Sequence, residues 1–273
     1  MPIAGRMLTR VVALWLLLSA TVTMADEIFV AVAVAVAVAV AVAVAVAVAV
    51  AVAVASNFAG TLKTITKRFE AATGHKVHIS VGATGKQYAQ IRHGAPFDLF
   101  FAADSRRPEL LESEGFTQPG SRFTYALGKL VLWSPLPAYV DPQGKILEQG
   151  DFKHLAMANP RLAPYGKATR EVLQALGLWQ RLQPRTVRGE NIGQAFQFVK
   201  SGNAELGLVA WSQIKRAGPP APGSHWAVPT LLYSPIEQQA VVLKPSKATR
   251  EFAAFVRSNE VKALIRDSGY DLP

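Results

Sequence analysis

Residues 77–102 read VHISVGATGKQYAQIRHGAPFDLFFA and contain, in order, a strand, a helix and a second strand. Val77 to Val81 is short and rich in β-branched residues, which favours a strand. Gly85 to His93 has the composition of a helix that ends at Gly94. Phe97 to Ala102 is apolar except for Asp98, which is typical of a strand buried on both faces. The stretch therefore predicts a strand–helix–strand unit, the building block of a parallel sheet.

The same alternation continues along the rest of the chain. Further predicted elements are strands at Leu130–Trp133, His154–Met157, Leu206–Ala210 and Gln239–Leu243, and helices at Leu62–Ala72, Arg107–Glu114, Lys167–Leu178 and Asn191–Lys200, with two more helices closing the chain. The pattern predicts an α/β protein with mostly parallel sheets flanked by helices. In such folds ligands bind beyond the carboxyl ends of strands, so the strand-to-helix junctions are the places to look for a site.

Composition narrows the classes of function. The net charge of +10 would suit a nucleic acid, an anionic membrane or an anionic ligand. The basic residues are scattered, however, and the densest cluster is only Arg106-Arg107, so we expect no nucleic-acid binding. The absence of cysteine excludes disulfides, thiolate metal sites and a cysteine nucleophile. His75 and His78 would point to opposite faces of a strand, and no catalytic motif is present, so we predict neither an enzyme nor a cofactor.

The N-terminus has the form of a secretory signal peptide. Arg6 and Arg10 precede the apolar run Val11–Leu18, and small residues lead to Ala25. The apolar run is short for a membrane anchor. We therefore predict a signal peptide over residues 1–25 and export from the cytoplasm.

From Val30 to Ala55 the chain is thirteen consecutive Val-Ala pairs. A transmembrane helix of this length is feasible, but β-branching of every second residue favours extended structure. A single strand would be about 85 Å long at roughly 3.3 Å per residue, far longer than a domain.

The third interpretation is an expanded repeat within a short first strand, and we favour it. Joining Phe29 to Ser56 through two pairs gives an uninterrupted strand, and each added pair keeps every residue on the same face. The surplus pairs would be prone to aggregation.

Three strand-to-helix junctions carry polar donors. They are Ser56–Gly60, Gly82–Lys86 and Glu190–Gly193. Small residues allow an anion to approach backbone N–H groups, and Thr84 adds a hydroxyl. Each junction taken alone is more often an ordinary helix cap than a binding site, and Asn191 is expected first of all to cap its helix. Their combination in an exported α/β chain favours a receptor that holds an oxyanion through neutral donors.

These residues resemble the ModA family, the periplasmic molybdate-binding proteins of ABC importers. The resemblance runs from about Ile28 to the C-terminus and is interrupted by the repeat. Its most specific stretches are VASNFA ending at Ala59, GAPFDLF over 94–100 with Ala103-Asp104, GENI over 189–192 and LGLV over 206–209.

The resemblance implies a two-lobed class II periplasmic-binding-protein fold with the anion in the cleft. Residues 26–127 and 229–273 would form one lobe and residues 128–228 the other. The implied function is capture of molybdate or tungstate in the periplasm, by a monomer, for the membrane permease of an ABC transporter.

The resemblance also implies the residues of the site. Ser56 and Thr84 would donate hydroxyls, Asn57 follows the first donor, and Tyr165 and Ile192 would donate backbone N–H groups. No protein atom would ligate the molybdenum directly.

Ala210 stands where some members have a tyrosine donor, and Tyr165 is the candidate replacement. A sulfate receptor is an alternative that cavity volume would decide. A hydroxymethylbilane synthase has a related fold but needs a cysteine. A chain whose binding is disrupted by the repeat is the third alternative.

Overall fold

The computed structural model describes residues 48–216, 218 and 222–273. The predicted signal peptide and the repeat up to residue 47 lie outside this part of the chain. Within it, no helix is both long and apolar enough to cross a membrane.

The described residues contain two five-stranded sheets, each with its own core. The first has the order β2-β1-β3-β10-β4. Its strands are β1 (Ala49–Ala55), β2 (Lys76–Gly82), β3 (Leu99–Phe101), β4 (Phe123–Gly128) and β10 (Ile236–Val242). The second sheet has the order β7-β6-β8-β5-β9. Its strands are β5 (Leu130–Ser134), β6 (Leu155–Ala158), β7 (Thr186–Gly189), β8 (Leu206–Ala210) and β9 (Ser224–Ala227).

Helices connect the strands and cover the faces of both sheets. Those beside the first sheet are α1 (Ala59–Thr73), α2 (Thr84–Arg92), α3 (Arg106–Ser113), α9 (Lys247–Val256) and α10 (Asn259–Asp267). Those beside the second sheet are α4 (Ile146–Gln149), α5 (Pro164–Ala175), α6 (Trp179–Leu182), α7 (Ile192–Lys200) and α8 (Trp211–Lys215).

The α/β class is confirmed, but the sheets are mixed rather than mostly parallel. In the first sheet β1 is parallel to β2 and β3, whereas β10 is antiparallel to β3 and β4. In the second sheet β6 is parallel to β7 and β8, whereas β5 is antiparallel to β8 and β9. The antiparallel strands β5 and β10 are those that receive the chain as it passes from one sheet to the other. They do not follow a strand–helix–strand crossover within their own sheet, so nothing requires them to be parallel.

The end of the Val-Ala repeat forms β1 at the centre of the first sheet. Val50, Val52 and Val54 are buried on the face covered by α1 and α9. Ala53 lies on the opposite face, against Phe100. The alternation thus places valine on the face packed against the helices and alanine on the face packed against Phe100. The strand pairs with β2 up to Ala55, directly before Ser56 in the sequence.

Candidate anion-binding site

Five strand-to-helix junctions meet at one small cavity, which has an empty volume of about 180 Å³ including its mouth. The junctions follow β1, β2 and β3 of the first sheet and β6 and β7 of the second. The lining residues are Ala55, Ser56, Asn57, Gly82, Ala83, Thr84, Ala103, Ala163, Pro164, Tyr165, Asn191 and Ile192. The structure therefore brings together all five predicted site residues, and no charged side chain lines the cavity with them.

The two hydroxyl groups are oriented by backbone donors. Ser56 Oγ accepts a hydrogen bond of 3.1 Å from the N–H of Gly193. Thr84 Oγ1 accepts one of 3.1 Å from the N–H of Ala103. Each hydroxyl has one hydrogen, and neither donates it to an acceptor within the described part of the chain. Both hydrogens are therefore available to a ligand in the cavity.

Three helices begin at the cavity and direct backbone N–H groups toward it. Thr84, Tyr165 and Ile192 lie in the first turns of α2, α5 and α7, and among the described residues their N–H groups have no acceptor. Pro164 opens α5 and has no N–H, so Tyr165 supplies the first donor of that helix. Helix N-termini carry a partial positive charge, which favours an anion at this point.

Two glycines allow the helices to come this close. A Cβ on Gly166 would lie 2.4 Å from the carbonyl oxygen of Ala158, so α5 could not approach β6 as it does. A Cβ on Gly193 would lie 3.2 Å from Ser56 Cβ and would crowd the contact between α7 and β1. Glycine is the residue that permits such close backbone approach.

Asn57 is buried and its side chain faces a polar network. Its Nδ2 donates to Gln238 Oε1 at 2.7 Å and to the Tyr270 hydroxyl at 3.2 Å. The Tyr270 hydroxyl donates to the Asn57 carbonyl oxygen at 2.9 Å. Asn57 Oδ1, by contrast, is buried with no hydrogen-bond partner among the described residues. A buried oxygen left in this way costs about 1–3 kcal/mol.

The hydroxyl of Tyr165 lies away from the cavity. It accepts from Gln238 Nε2 at 3.3 Å, and a Cβ on Gly128 would lie only 2.3 Å from it. Burial raises the pKa of Tyr165 well above its ordinary value, so the hydroxyl stays neutral. The hydroxyl is thus held by Gln238, whereas the N–H of Tyr165, at the start of α5, has no acceptor among the described residues. Ala210 itself is buried in the core of the second sheet and does not line the cavity.

Gln238 is the residue that sequence reasoning missed. It is fully buried in β10, and its side chain contacts Asn57, Tyr165 and Tyr125, the last by a hydrogen bond of 3.1 Å from the tyrosine hydroxyl. Glu237 and Gln239 flank it in the sequence, so the local pattern gives no signal that singles out Gln238.

Further contacts beside the cavity join elements of the first sheet to elements of the second sheet. The N–H of Gly85 donates to the carbonyl oxygen of Leu162 at 2.8 Å. Lys86 Nζ lies 3.2 Å from Glu190 Oε2, an exposed ion pair of the kind worth about 0–1 kcal/mol. The cavity is therefore closed over by contacts between elements of both sheets.

The acidic residues near β3 have local partners. Asp98 Oδ2 accepts from the N–H of Ala51 at 2.7 Å, and Asp104 pairs with Arg107. Asn191 caps α7, as expected, by accepting from the N–H of Gln194 at 3.1 Å. No group of histidine and acidic side chains in the described residues could hold a metal ion.

Comparison with known proteins gives concordant matches. Residues 50–271 match the family described as bacterial extracellular solute-binding protein. The molybdate-binding protein ModA of Azotobacter vinelandii is 50% identical over 221 residues, which are 80% of this chain and 88% of that protein. The molybdate-binding protein ModA of Rhodobacter capsulatus is 46% identical over 220 residues, covering 79% and 85%. The solved structure of the Azotobacter vinelandii periplasmic molybdate-binding protein superimposes with a TM-score of 0.80, covering 82% of this chain and 99% of that one.

Proposed function

Because the chain belongs to the ModA family of bacterial extracellular solute-binding proteins, we propose that it captures molybdate or tungstate in the periplasm and delivers the anion to the membrane permease of an ABC importer. The chain is a solute-binding protein and not an enzyme. The export signal over residues 1–25 and a monomeric state belong to the same proposal.

The observation that carries the proposal is the chemistry of the cavity. All its lining residues are neutral, and their donors without an acceptor include two hydroxyls and three backbone N–H groups. Such donors stabilise a dianion without a fixed countercharge, so the anion can also be released. A cation or a neutral apolar solute would leave these donors unpaired.

The donors come from both halves of the chain. Ser56, Asn57 and Thr84 belong to the first lobe, proposed as residues 26–127 and 229–273. Tyr165 and Ile192 belong to the second, proposed as residues 128–228. A tetrahedral anion has oxygens pointing in four directions, so one ion could accept from both lobes at once. Binding would then stabilise the closed arrangement by mass action.

The unpartnered oxygen of Asn57 supports a side-chain role for this residue. Reversing the amides of Asn57 and Gln238 together keeps their 2.7 Å contact, with Gln238 Nε2 now donating to Asn57 Oδ1. The hydroxyl of Tyr165 would then donate to Gln238 Oε1, and Tyr125 could donate to Ala102 O, 2.9 Å away, while accepting from Gln238 Nε2. Asn57 Nδ2 would take the position of the unpartnered oxygen and would no longer donate to the Tyr270 hydroxyl, which keeps its own donation to the Asn57 carbonyl oxygen. We propose this arrangement for the anion-bound protein, with Nδ2 available to the ligand.

The strand β1 supports the interpretation of the repeat as an expanded first strand. Its seven residues have the length of an ordinary strand and lie between β2 and β3. The proposal is that the pairs preceding β1 are surplus to the fold.

Calorimetric titration of the full chain with molybdate, tungstate and sulfate tests the function. We expect one site per chain, with molybdate and tungstate bound more tightly than sulfate because sulfate is smaller. Tighter binding of sulfate would contradict the proposal. The same titration on a version cut back to two Val-Ala pairs separates loss of binding caused by the repeat from absence of the function.

A further inference from the structure

A second and larger cavity opens beside the anion cavity. Its empty volume is about 1130 Å³ including its mouth, and it shares Ala103, Ala163 and Pro164 with the smaller one. The start of α3 lines one side, the start of α5 lines the other, and residues 234–236 complete it. The two cavities therefore adjoin at the three shared residues.

The larger cavity contains charged side chains, whereas the smaller one contains none. Four cationic residues line it, namely Arg106, Arg107, Arg161 and Lys167, together with the carboxylates of Asp104 and Glu171. The positive charges therefore exceed the negative ones by two.

Each carboxylate in this cavity has its own cationic partner. Asp104 pairs with Arg107, and Glu171 pairs with Lys167. Glu171 also accepts from the N–H of Ser234 at 2.9 Å. Burial alone would raise the pKa of Glu171, but the hydrogen bonds from Lys167 and Ser234 outweigh it and lower the pKa. Glu171 is therefore ionised at neutral pH and balances Lys167 locally.

Arg106 and Arg161 are the two cations left over. Both are exposed, and neither forms an ion pair within the described part of the chain. Arg106 is the first residue of α3, beside the first sheet, whereas Arg161 precedes α5, beside the second sheet. The excess positive charge is thus contributed by both sides of the cavity.

We propose that Arg106 and Arg161 form an electropositive vestibule that attracts the oxyanion dianion and raises its rate of entry into the neutral site. The inference rests on the proposed function. Charges that line a cleft raise the local concentration of an oppositely charged solute and its association rate. Neither arginine lines the inner cavity, so neither holds the anion once it is bound. The two arginines should therefore raise the association rate constant and leave the dissociation rate constant nearly unchanged.

The test compares wild type with Arg106→Gln, Arg161→Gln and the double variant, each as the full chain. Arg250→Gln is the matched control, because Arg250 is an exposed arginine on α9 that does not line this cavity. Equilibrium dialysis with radiolabelled molybdate gives Kd, and displacement by excess unlabelled molybdate gives the dissociation rate constant. The dissociation rate constant divided by Kd gives the association rate constant. Both measurements are made at about 0.01 M and at about 1 M salt, between which the screening length falls from roughly 30 Å to 3 Å.

In the double variant we expect association about ten-fold slower at low salt, with dissociation changed by less than about two-fold. The difference from wild type should vanish at high salt, and Arg250→Gln should match wild type throughout. Equal association rates for wild type and the double variant at low salt would overturn the proposal, as would a weaker Kd caused entirely by faster dissociation. Failure of wild type itself to bind molybdate would instead contradict the proposed function.

Discussion

Ser56 Oγ accepts a hydrogen bond of 3.1 Å from the backbone N–H of Gly193, and this bond joins the two halves of the chain at the candidate site. Ser56 is the first residue after the Val-Ala repeat, and Gly193 is the second residue of α7. The bond uses one lone pair of the serine oxygen and leaves the hydroxyl hydrogen free for a ligand. One side chain therefore contributes both to closure and to the predicted binding of the anion.

Replacing this serine should weaken binding. In Ser56→Ala we expect the affinity for molybdate to fall by about 1–3 kcal/mol, because a donor to the anion and the acceptor for Gly193 are both lost. Isothermal titration calorimetry measures the effect, and Ser113→Ala, at an exposed serine of α3, is the control. An affinity equal to that of wild type would remove Ser56 from the site.

The hydroxyl of Thr84 should contribute to both anion binding and stability, and an isosteric change that removes it tests this. Thr84→Val keeps the shape but removes the hydroxyl, so the N–H of Ala103 loses its acceptor. We expect both the affinity and the free energy of unfolding to fall, each by about 1–3 kcal/mol. Thr84→Ser restores the hydroxyl and should recover most of both losses in calorimetry and urea titration. Equal behaviour of the valine and serine variants would show that the hydroxyl has no role.

Gln238 holds the loop of Asn57 to the start of α5 across the two halves of the chain. In Gln238→Leu, the buried polar groups of Asn57 and Tyr165 lose their partner. We expect a loss of about 2–3 kcal/mol in the free energy of unfolding, together with weaker anion binding. Gln174→Leu, at an exposed position of α5, is the control. Wild-type stability of Gln238→Leu would mean that the network contributes nothing.

What could be predicted from the sequence depends on how local each feature is. Ser56 and Thr84 could be placed at strand-to-helix junctions because a strand, small residues and a helix follow one another in the chain. The side-chain partners of Gln238 lie 181, 113 and 73 residues away, so no local pattern encodes them. The sequence pattern predicts a strand over Gln239–Leu243, whereas β10 spans Ile236–Val242, because the partners that bury Gln238 are distant in the sequence. The direction of the Tyr165 hydroxyl depends equally on packing against Gly128.

The buried tyrosines predict loss of stability at alkaline pH. Burial raises the pKa of Tyr270 to about 12, and it raises those of Tyr125 and Tyr165 well above the ordinary value of 10.0. Above the ordinary pKa the unfolded chain releases protons that the folded chain retains, so the free energy of unfolding falls as pH rises. For Tyr270 the contribution is complete below about pH 10 and is lost as the pH rises toward about 12.

Urea titrations across this range measure the slope. Tyr270→Phe removes one of the three groups and should make the slope shallower, even though the variant is less stable at neutral pH through loss of its hydrogen bond to Asn57. A free energy of unfolding that is constant from about pH 9 to about pH 12 would contradict the assignment.

The alternation of the Val-Ala repeat predicts that deleting two residues and deleting one residue have different effects. Deleting one pair, such as Val54 and Ala55, leaves the seven residues before Ser56 unchanged in sequence, because the preceding pair takes their place. We therefore expect wild-type stability and affinity. Deleting Ala55 alone shifts the alternation by one residue, so the positions of Val50, Val52 and Val54 receive alanine while valine is forced onto the face of Ala53, against Phe100. Cavities on one face and overpacking on the other should together cost more than about 3 kcal/mol. Urea titration and calorimetry of both deletions decide the matter. Equal loss in the two variants would show that the length of the repeat, rather than its alternation, controls the fold of β1.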